Sequence, residues 1–140
     1  MSEHLDLTVQ SDLRNLARIA EFVVDAARRL GLDEKQAFEV QMATDEACAN
    51  IIQHAYGPGV PGEIHIRCEI QGEDFLVTLR DRGRAFDPEQ VPEPDITCPL
   101  EERRIGGLGL FFMRKLMDRI TFCCDAIGGN ELRMYKRRSR

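Results

Sequence analysis

The sequence lacks the features of a membrane-spanning or secreted protein. No apolar run approaches the roughly 20 residues that a membrane-spanning helix requires. The amino terminus, Met-Ser-Glu-His-Leu-Asp, has no signal-peptide pattern. We therefore expect a cytoplasmic protein that does not act at membranes.

The five cysteines include no Cys-x-x-Cys spacing and are odd in number. Most of them lie in apolar segments, which favours reduced thiols in the core over a disulfide framework. Cys123 and Cys124 are adjacent in a predicted strand, so their side chains would point to opposite faces of the sheet rather than share a metal.

The chain also lacks the positive charge that would indicate a nucleic-acid-binding protein. Its formal net charge is -5, which argues against nucleic acid as the main partner. The basic end, residues 133–140, is the exception, and we expect a solvated tail over about 136–140. A length of 140 residues with 43% apolar content fits one globular domain.

The spacing of apolar residues predicts a strand followed by a helix at the start of the chain. Residues 4–10 alternate between apolar and polar, as a half-buried strand does. Over residues 12–30 the apolar positions recur every three or four residues, which indicates an amphipathic helix that ends at Gly31. Ser11 is the expected N-cap of this helix.

A second helix and a hairpin are predicted next. Asp33 and Gln36 have the spacing of a capping box, so we expect a helix over residues 34–55. Residues 63–71 and 75–81 then alternate on either side of a glycine turn, as the two strands of a β-hairpin do.

The second half of the chain predicts a long loop, a helix and a second hairpin. Residues 82–105 contain several prolines and no convincing helix or strand, and a segment of that length is more often a lid or binding loop than filler. A short helix should follow the glycines at 106–109. Strands are expected at 120–124 and 132–134, with a turn at 128–130. This order indicates an α+β fold, a two-layer sandwich with a mixed, mostly antiparallel sheet covered on one face by about three helices.

A polar stripe marks the end of the second predicted helix. Glu46, Asn50 and His54 are spaced four and four, so on an α-helix they would share one face. A carboxylate there could take a proton from a nucleophile, and a carboxamide oxygen one turn away could ligate a hard cation such as Mg²⁺. A solvated helix edge would have the same spacing, so the stripe alone leaves both interpretations open.

A carboxylate at a strand end and a cluster of glycines are further candidates. The phase of its strand delivers Asp81 to the rim of the covered layer, where an unpaired carboxylate is costly. Ligand contact and a loop cap both explain this position, and Gly83 fits both. Gly106, Gly107 and Gly109 at a helix start could bring backbone N–H groups to an anion, although glycines also make turns. Neither the P-loop nor the dinucleotide-binding motif occurs.

Taken together, three motifs resemble the nucleotide-binding boxes of the Bergerat-fold ATPases. They are Glu46-x-x-x-Asn50, Asp81-x-Gly83 and Gly106-Gly107-Leu108-Gly109-Leu110, in the order of the N-box and the two glycine boxes. The flanking residues, His-Ala-Tyr after the N-box and Asp-Arg-Gly-x-x-Phe-Asp-Pro from Asp81 onward, look like those of the anti-sigma factor serine kinases. These are stand-alone ATPase domains of the histidine-kinase type, and the match covers nearly the whole chain.

The resemblance implies a role for each matched residue. Glu46 would be the general base that deprotonates a substrate serine, and Asn50 would hold the Mg²⁺ that accompanies ATP. Asp81 would accept a hydrogen bond from the adenine amino group. His54 is expected to be structural. The nucleotide site would be completed by Gly83, Ala85, Gly106, Gly107, Leu108 and Gly109, with residues 84–105 as the ATP lid.

The implied function is that of an ATP-dependent protein serine kinase acting as an anti-sigma factor. It would phosphorylate an anti-anti-sigma antagonist, sequester a sigma factor when that antagonist is absent or phosphorylated, and form a homodimer. One departure is Ala85, which replaces the second glycine of the first glycine box. This puts nucleotide affinity and lid geometry in doubt rather than the fold. The alternative is a nucleotide-binding, partner-switching module with little or no kinase activity.

Overall fold

The structure is a computed structural model that describes residues 3–83, 113–125 and 129–138. Five strands form one sheet in the order β1-β2-β3-β5-β4. The strands are β1 His4–Gln10, β2 Glu63–Gln71, β3 Asp74–Asp81, β4 Arg119–Asp125 and β5 Gly129–Arg137. All four neighbouring pairs are antiparallel. The sheet that was expected to be mixed therefore has no parallel pair among the described strands.

The helices cover one face of this sheet. They are α1 Leu16–Arg29 and α2 Glu34–Asn50, followed by a π-helical segment, Ile51–Tyr56. Residues 113–116 form a further helical turn. The apolar side chains of the helices and of the inner sheet face form one continuous buried cluster. The predicted α+β sandwich is confirmed. No helix in the described ranges is both long and apolar enough to cross a membrane.

The first helix begins differently from the prediction. Asp12, not Ser11, provides the cap, because its carboxylate accepts a hydrogen bond from the Arg14 backbone N–H at 2.9 Å. A 3₁₀ turn over Leu13–Asn15 then precedes α1. The backbone N–H of Ser11 instead donates to the Gly62 carbonyl at 2.8 Å, so Ser11 continues the path of β1.

The start of α2 agrees with the prediction, and its end does not. The capping box is present, since the Gln36 N–H donates to Asp33 Oδ1 at 2.7 Å and the Asp33 N–H donates to Gln36 Oε1 at 3.2 Å. The helical path continues to Tyr56, but from Ile51 it is π-helical. Its backbone bonds there span five residues, as in the bond from the Gly57 N–H to the Ile52 carbonyl at 3.1 Å.

The basic segment expected to be a solvated tail begins as part of the sheet. Lys136 lies in β5 opposite Phe75, on the inner face. Its Nζ donates to the Leu116 carbonyl at 2.6 Å and lies 3.3 Å from Glu39 Oε1. The prediction of a tail from residue 136 is therefore wrong, because the lysine reaches a backbone carbonyl and a carboxylate of the helical layer.

Candidate active site

Asp81 is deeply buried at the end of β3, on the inner face of the sheet, as the strand phase predicted. Only 6% of the residue is exposed. Its Oδ1 accepts from the Gly83 backbone N–H at 2.8 Å and from Asn130 Nδ2 at 2.9 Å. Within the described part of the chain, no donor reaches Oδ2. The donors that a buried carboxylate requires are thus present, and one oxygen is left to accept from another group.

Asn130 is a site residue that the sequence analysis missed. The glycine pair before it predicted a turn, but Asn130 lies in β5, directly opposite Asp81, and is 4% exposed. Its Nδ2 also lies 3.2 Å from the Gly83 carbonyl oxygen. The signal was available, because Asn130 shares the phase of Leu132 and Met134, and extending that strand by two residues places it on the inner face.

The ionisation of Asp81 depends on this burial. Burial raises the pKa of the Asp81 carboxyl, and the hydrogen bonds from Asn130 and Gly83 oppose that rise without cancelling it. Burial also raises the pKa of the Cys48 thiol on α2, and the charges of Asp45 and Asp81 raise it further. Asp81 therefore lies near the part of α2 that carries the predicted N-box.

Two contacts hold the end of β3 against the π-helical segment. A Cβ atom on Gly83 would lie 2.6 Å from the carbonyl carbon and the carbonyl oxygen of Ala55, so only glycine permits this approach. The Tyr56 hydroxyl donates to the Glu63 carbonyl at 2.7 Å and accepts from the Arg82 backbone N–H at 2.8 Å. Gly83 therefore has a structural role that is independent of any ligand.

Glu46 and Asn50 lie one turn apart in α2, as predicted. Both are partly exposed, and neither side chain is hydrogen-bonded to another described residue. His54 lies in the π-helical segment and is exposed. The predicted spacing is thus present for Glu46 and Asn50 in α2, and the shared face with His54 stays a prediction.

The other predicted site residues lie outside the described residues. They are Ala85, Gly106, Gly107, Leu108 and Gly109, together with the lid at 84–105. In the ranges that the structure describes, no group of His, Cys, Asp and Glu side chains is arranged to hold a metal ion.

Comparison with known proteins identifies the family. The model of the histidine kinase-like ATPase domain matches residues 9–136. The chain belongs to this family. A serine-protein kinase RsbW of Bacillus cereus is 31% identical over 127 residues, which cover 88% of this chain and 79% of that relative. The serine/threonine-protein kinase BtrW of Bordetella bronchiseptica is 33% identical over 85 residues, which cover 61% of this chain and 60% of BtrW. These relatives confirm the resemblance to the anti-sigma factor kinases.

A solved structure agrees with the architecture. The RsbU and RsbW domains of a Mycobacterium tuberculosis protein match with a TM-score of 0.71 at 18% sequence identity. The match covers 99% of this chain and 33% of that one. It supports the histidine-kinase-type ATPase fold.

Proposed function

We propose that this protein is an ATP-dependent protein serine kinase that acts as an anti-sigma factor. It phosphorylates an anti-anti-sigma antagonist and sequesters a sigma factor when the antagonist is absent or already phosphorylated. The observation that carries the proposal is the pair Glu46 and Asn50, one turn apart on α2, the helix whose Cys48 thiol is influenced by the charge of the buried Asp81. The kinase names of the relatives support transfer to serine.

Glu46 and Asn50 divide the chemistry of transfer. Glu46 is partly exposed, so the hydroxyl of a protein substrate can reach its carboxylate, which accepts the serine proton. The carboxamide oxygen of Asn50 is a neutral ligand suited to Mg²⁺. Bound Mg-ATP supplies the phosphoryl group and a metal ion that neutralises its charge. The contribution of the chain is to hold these groups in position.

The Asp81 corner is the proposed purine end of the site. Oδ2 of Asp81, which no described residue hydrogen-bonds, accepts from the adenine amino group, and the backbone at Gly83 borders the base. As the resemblance implies, the backbone of Ala85, Gly106, Gly107, Leu108 and Gly109 would bind the phosphates, with residues 84–105 as the lid. A buried carboxylate with one oxygen satisfied by the protein and one available fits a ligand that donates a hydrogen bond.

The proposal includes a cellular context, which the resemblance to the anti-sigma factor kinases supports. Residues 1–140 form one domain that works in the cytoplasm as a homodimer, without direct binding to nucleic acid or membranes. The family match over residues 9–136 and the continuous core support the single domain.

The decisive experiment measures transfer of labelled phosphate from ATP to candidate antagonists. These candidates would be identified by a pull-down with and without ATP. Glu46→Gln should lower the transfer rate on the order of 10²- to 10⁴-fold while leaving the Mg-ATP affinity, measured by calorimetry, within about threefold. Asp45→Asn is the matched control. Asp45 is the neighbouring acid, rotated by about 100° around the helix, and its variant should keep the wild-type rate.

The results separate the alternatives. Unchanged transfer by Glu46→Gln would remove Glu46 as the base. A wild-type protein that binds Mg-ATP and its partners but transfers no phosphate would be the partner-switching module without kinase activity. Absence of Mg-ATP binding would contradict both functions.

A further inference from the structure

Asn130 makes an unusual double contact at the purine end of the site. Its Nδ2 group reaches Asp81 Oδ1 at 2.9 Å and the Gly83 carbonyl oxygen at 3.2 Å. The Gly83 N–H donates to the same Oδ1 at 2.8 Å. One carboxamide thus joins β5 to both residues of the Asp-x-Gly motif, in a position that is 4% exposed.

This arrangement restricts what Asp81 can recognise. Among the described residues, both donors to Asp81 bond Oδ1, and hydrogen bonds to a carboxylate favour its ionised form. An ionised carboxylate can only accept. The other oxygen, Oδ2, which no described residue hydrogen-bonds, therefore requires a group that donates, such as the 6-amino group of adenine. In a 6-keto purine, the oxygen at position 6 is itself an acceptor, so it cannot form a hydrogen bond with the ionised Oδ2.

We propose that Asn130 is the positioning residue that makes the site selective for 6-aminopurines, because it keeps Asp81 as an acceptor and leaves only Oδ2 to the base. This rests on the proposed binding of ATP. Burial raises the pKa of the Asp81 carboxyl, and hydrogen bonds to it lower that pKa. Without the Asn130 donor, only the Gly83 N–H among the described donors opposes the effect of burial, so the carboxyl becomes neutral more readily. A neutral carboxyl can donate to a 6-keto oxygen, so the discrimination is lost.

The other described groups around Asp81 do not compete for this role. On α2 the charge of Asp81 acts on the Cys48 thiol, which burial keeps neutral. The Tyr56 hydroxyl is bonded to the Glu63 carbonyl and the Arg82 N–H. The residue opposite on β2 is the apolar Ile64. Asn130 is the side chain that bonds Asp81 among the described residues.

The test compares binding of Mg-ATP and Mg-ITP, whose bases carry a 6-amino and a 6-keto group, by calorimetry at pH 6, 7 and 8. Asn130→Leu removes the donor at similar volume. Asn130→Asp keeps the shape and places a second carboxyl beside Asp81, where the pair should share a proton. Thr78→Val is the structural control, since Thr78 is a buried polar residue of β3 on the opposite sheet face. Folding of each variant is checked by circular dichroism.

The wild-type protein and Thr78→Val should prefer ATP over ITP on the order of 100-fold, with a ratio that changes less than about twofold between pH 6 and 8. Both Asn130 variants should reduce the ratio to within about tenfold. In them the ratio should rise with pH, because Asp81 loses its proton and becomes an acceptor again. The triphosphate is common to both ligands, so its own titration cancels in the ratio.

Three outcomes would overturn the inference, and they differ in whether the proposed function survives. If the wild-type protein binds ATP but the folded Asn130 variants lose ATP and ITP affinity in equal proportion, Asn130 has only a structural role and the proposed function survives. The same conclusion follows if the wild-type protein does not distinguish the two nucleotides. If it binds neither, the proposed function fails together with the inference. Should Asn130→Leu not fold, the isosteric Asn130→Asp decides alone.

Discussion

The two ends of the candidate site are built in opposite ways. At the purine end, the Asp81 carboxylate is buried and is held by donors from β5 and from the chain that follows β3. On α2, Glu46 and Asn50 are partly exposed, and no described residue fixes either side chain. The described donors therefore hold Asp81 without a ligand, whereas the polar groups of Glu46 and Asn50 are accessible to one.

This difference matches the demands of the two proposed tasks. Selecting a base by one hydrogen bond needs a fixed acceptor, because a displaced carboxylate could accommodate the wrong base. Accepting a metal ion and the hydroxyl of a protein substrate needs side chains that are accessible and not already bonded. Burial, rather than residue type, therefore distinguishes the two acids of the site.

The largest expected effect is at the buried end. Asp81→Asn keeps the shape but turns Oδ2 into a donor that faces the adenine amino group, so Mg-ATP affinity should fall more than about 100-fold. Stability should not fall at neutral pH, since the cost of burying a charge is removed. Calorimetry and urea unfolding measure the two quantities. Weaker folding with unchanged affinity would contradict the assignment.

The pH dependence of that variant has a definite sign. Because the pKa of Asp81 is raised in the folded protein, its ionisation lowers stability as the pH rises through that pKa, and the effect is absent below the unfolded value of 3.8. The stability of Asp81→Asn relative to wild type should therefore increase from acid to neutral pH.

The next effect concerns the exposed end. Asn50→Ala removes a proposed Mg²⁺ ligand, so affinity for Mg-ATP should fall about 10- to 100-fold, while affinity for adenosine stays the same. Calorimetric titrations with both ligands give the comparison. An equal loss for adenosine would mean that Asn50 supports the purine end and that the two ends are not separate.

A smaller effect is expected for the Tyr56 hydroxyl, which connects the π-helical segment to the end of β3. Tyr56→Phe leaves the Arg82 N–H without its hydroxyl acceptor, and should lower the free energy of unfolding by about 0.5–1.5 kcal/mol. Urea unfolding measures this change in the free energy of unfolding, and the m-value should stay unchanged. A loss under about 0.3 kcal/mol would show that water replaces the hydroxyl at no cost.

The smallest effect belongs to a carboxylate on the outer sheet face. Asp6 accepts from Arg67 Nε and His65 Nε2, each at 2.8 Å, and its side chain is 32% exposed. Burial raises its pKa, but the hydrogen bonds and charges of Arg67 and His65 outweigh that and leave the pKa lowered. Asp6→Asn should therefore cost at most about 1 kcal/mol at neutral pH.

The sign of the pH dependence separates this acid from the buried one. Since the folded pKa of Asp6 is lowered, its contribution is present above the unfolded value of 3.8 and disappears as the pH falls through the folded pKa. Urea unfolding from pH 3 to 7 should show the opposite trend from Asp81→Asn. The same trend for both would remove burial as the distinguishing cause.

Alternation and capping predicted the parts of the fold whose side-chain spacing is regular. β1 and β2 have the predicted bounds, and the capping box of Asp33 and Gln36 is present. Asp81 was placed correctly because the same alternation continues to the end of β3. These features depend on nearby residues, so the sequence contains all that is needed to find them.

The errors have physical reasons. Asn130 was assigned to a turn because two glycines precede it, although its phase with Leu132 indicated the inner face. Lys136 was assigned to a tail because cations surround it, yet its long side chain crosses the inner layer to the Leu116 carbonyl. The π-helical segment could not be predicted, because the apolar spacing around it fits an α-helix as well.

The π-helical segment determines the direction of the side chains at its end, including that of Tyr56. Each residue of an α-helix turns the next side chain by about 100°, and a π turn holds one residue more, so the segment works as a built-in insertion. Tyr56 is the last residue of this segment, and its hydroxyl bonds the Glu63 carbonyl and the Arg82 N–H. A chain one residue shorter between 51 and 56 would restore an even α-helix and turn the tyrosine ring away from β3. The number of residues between Asn50 and Tyr56 therefore matters to the fold as much as the identity of either residue.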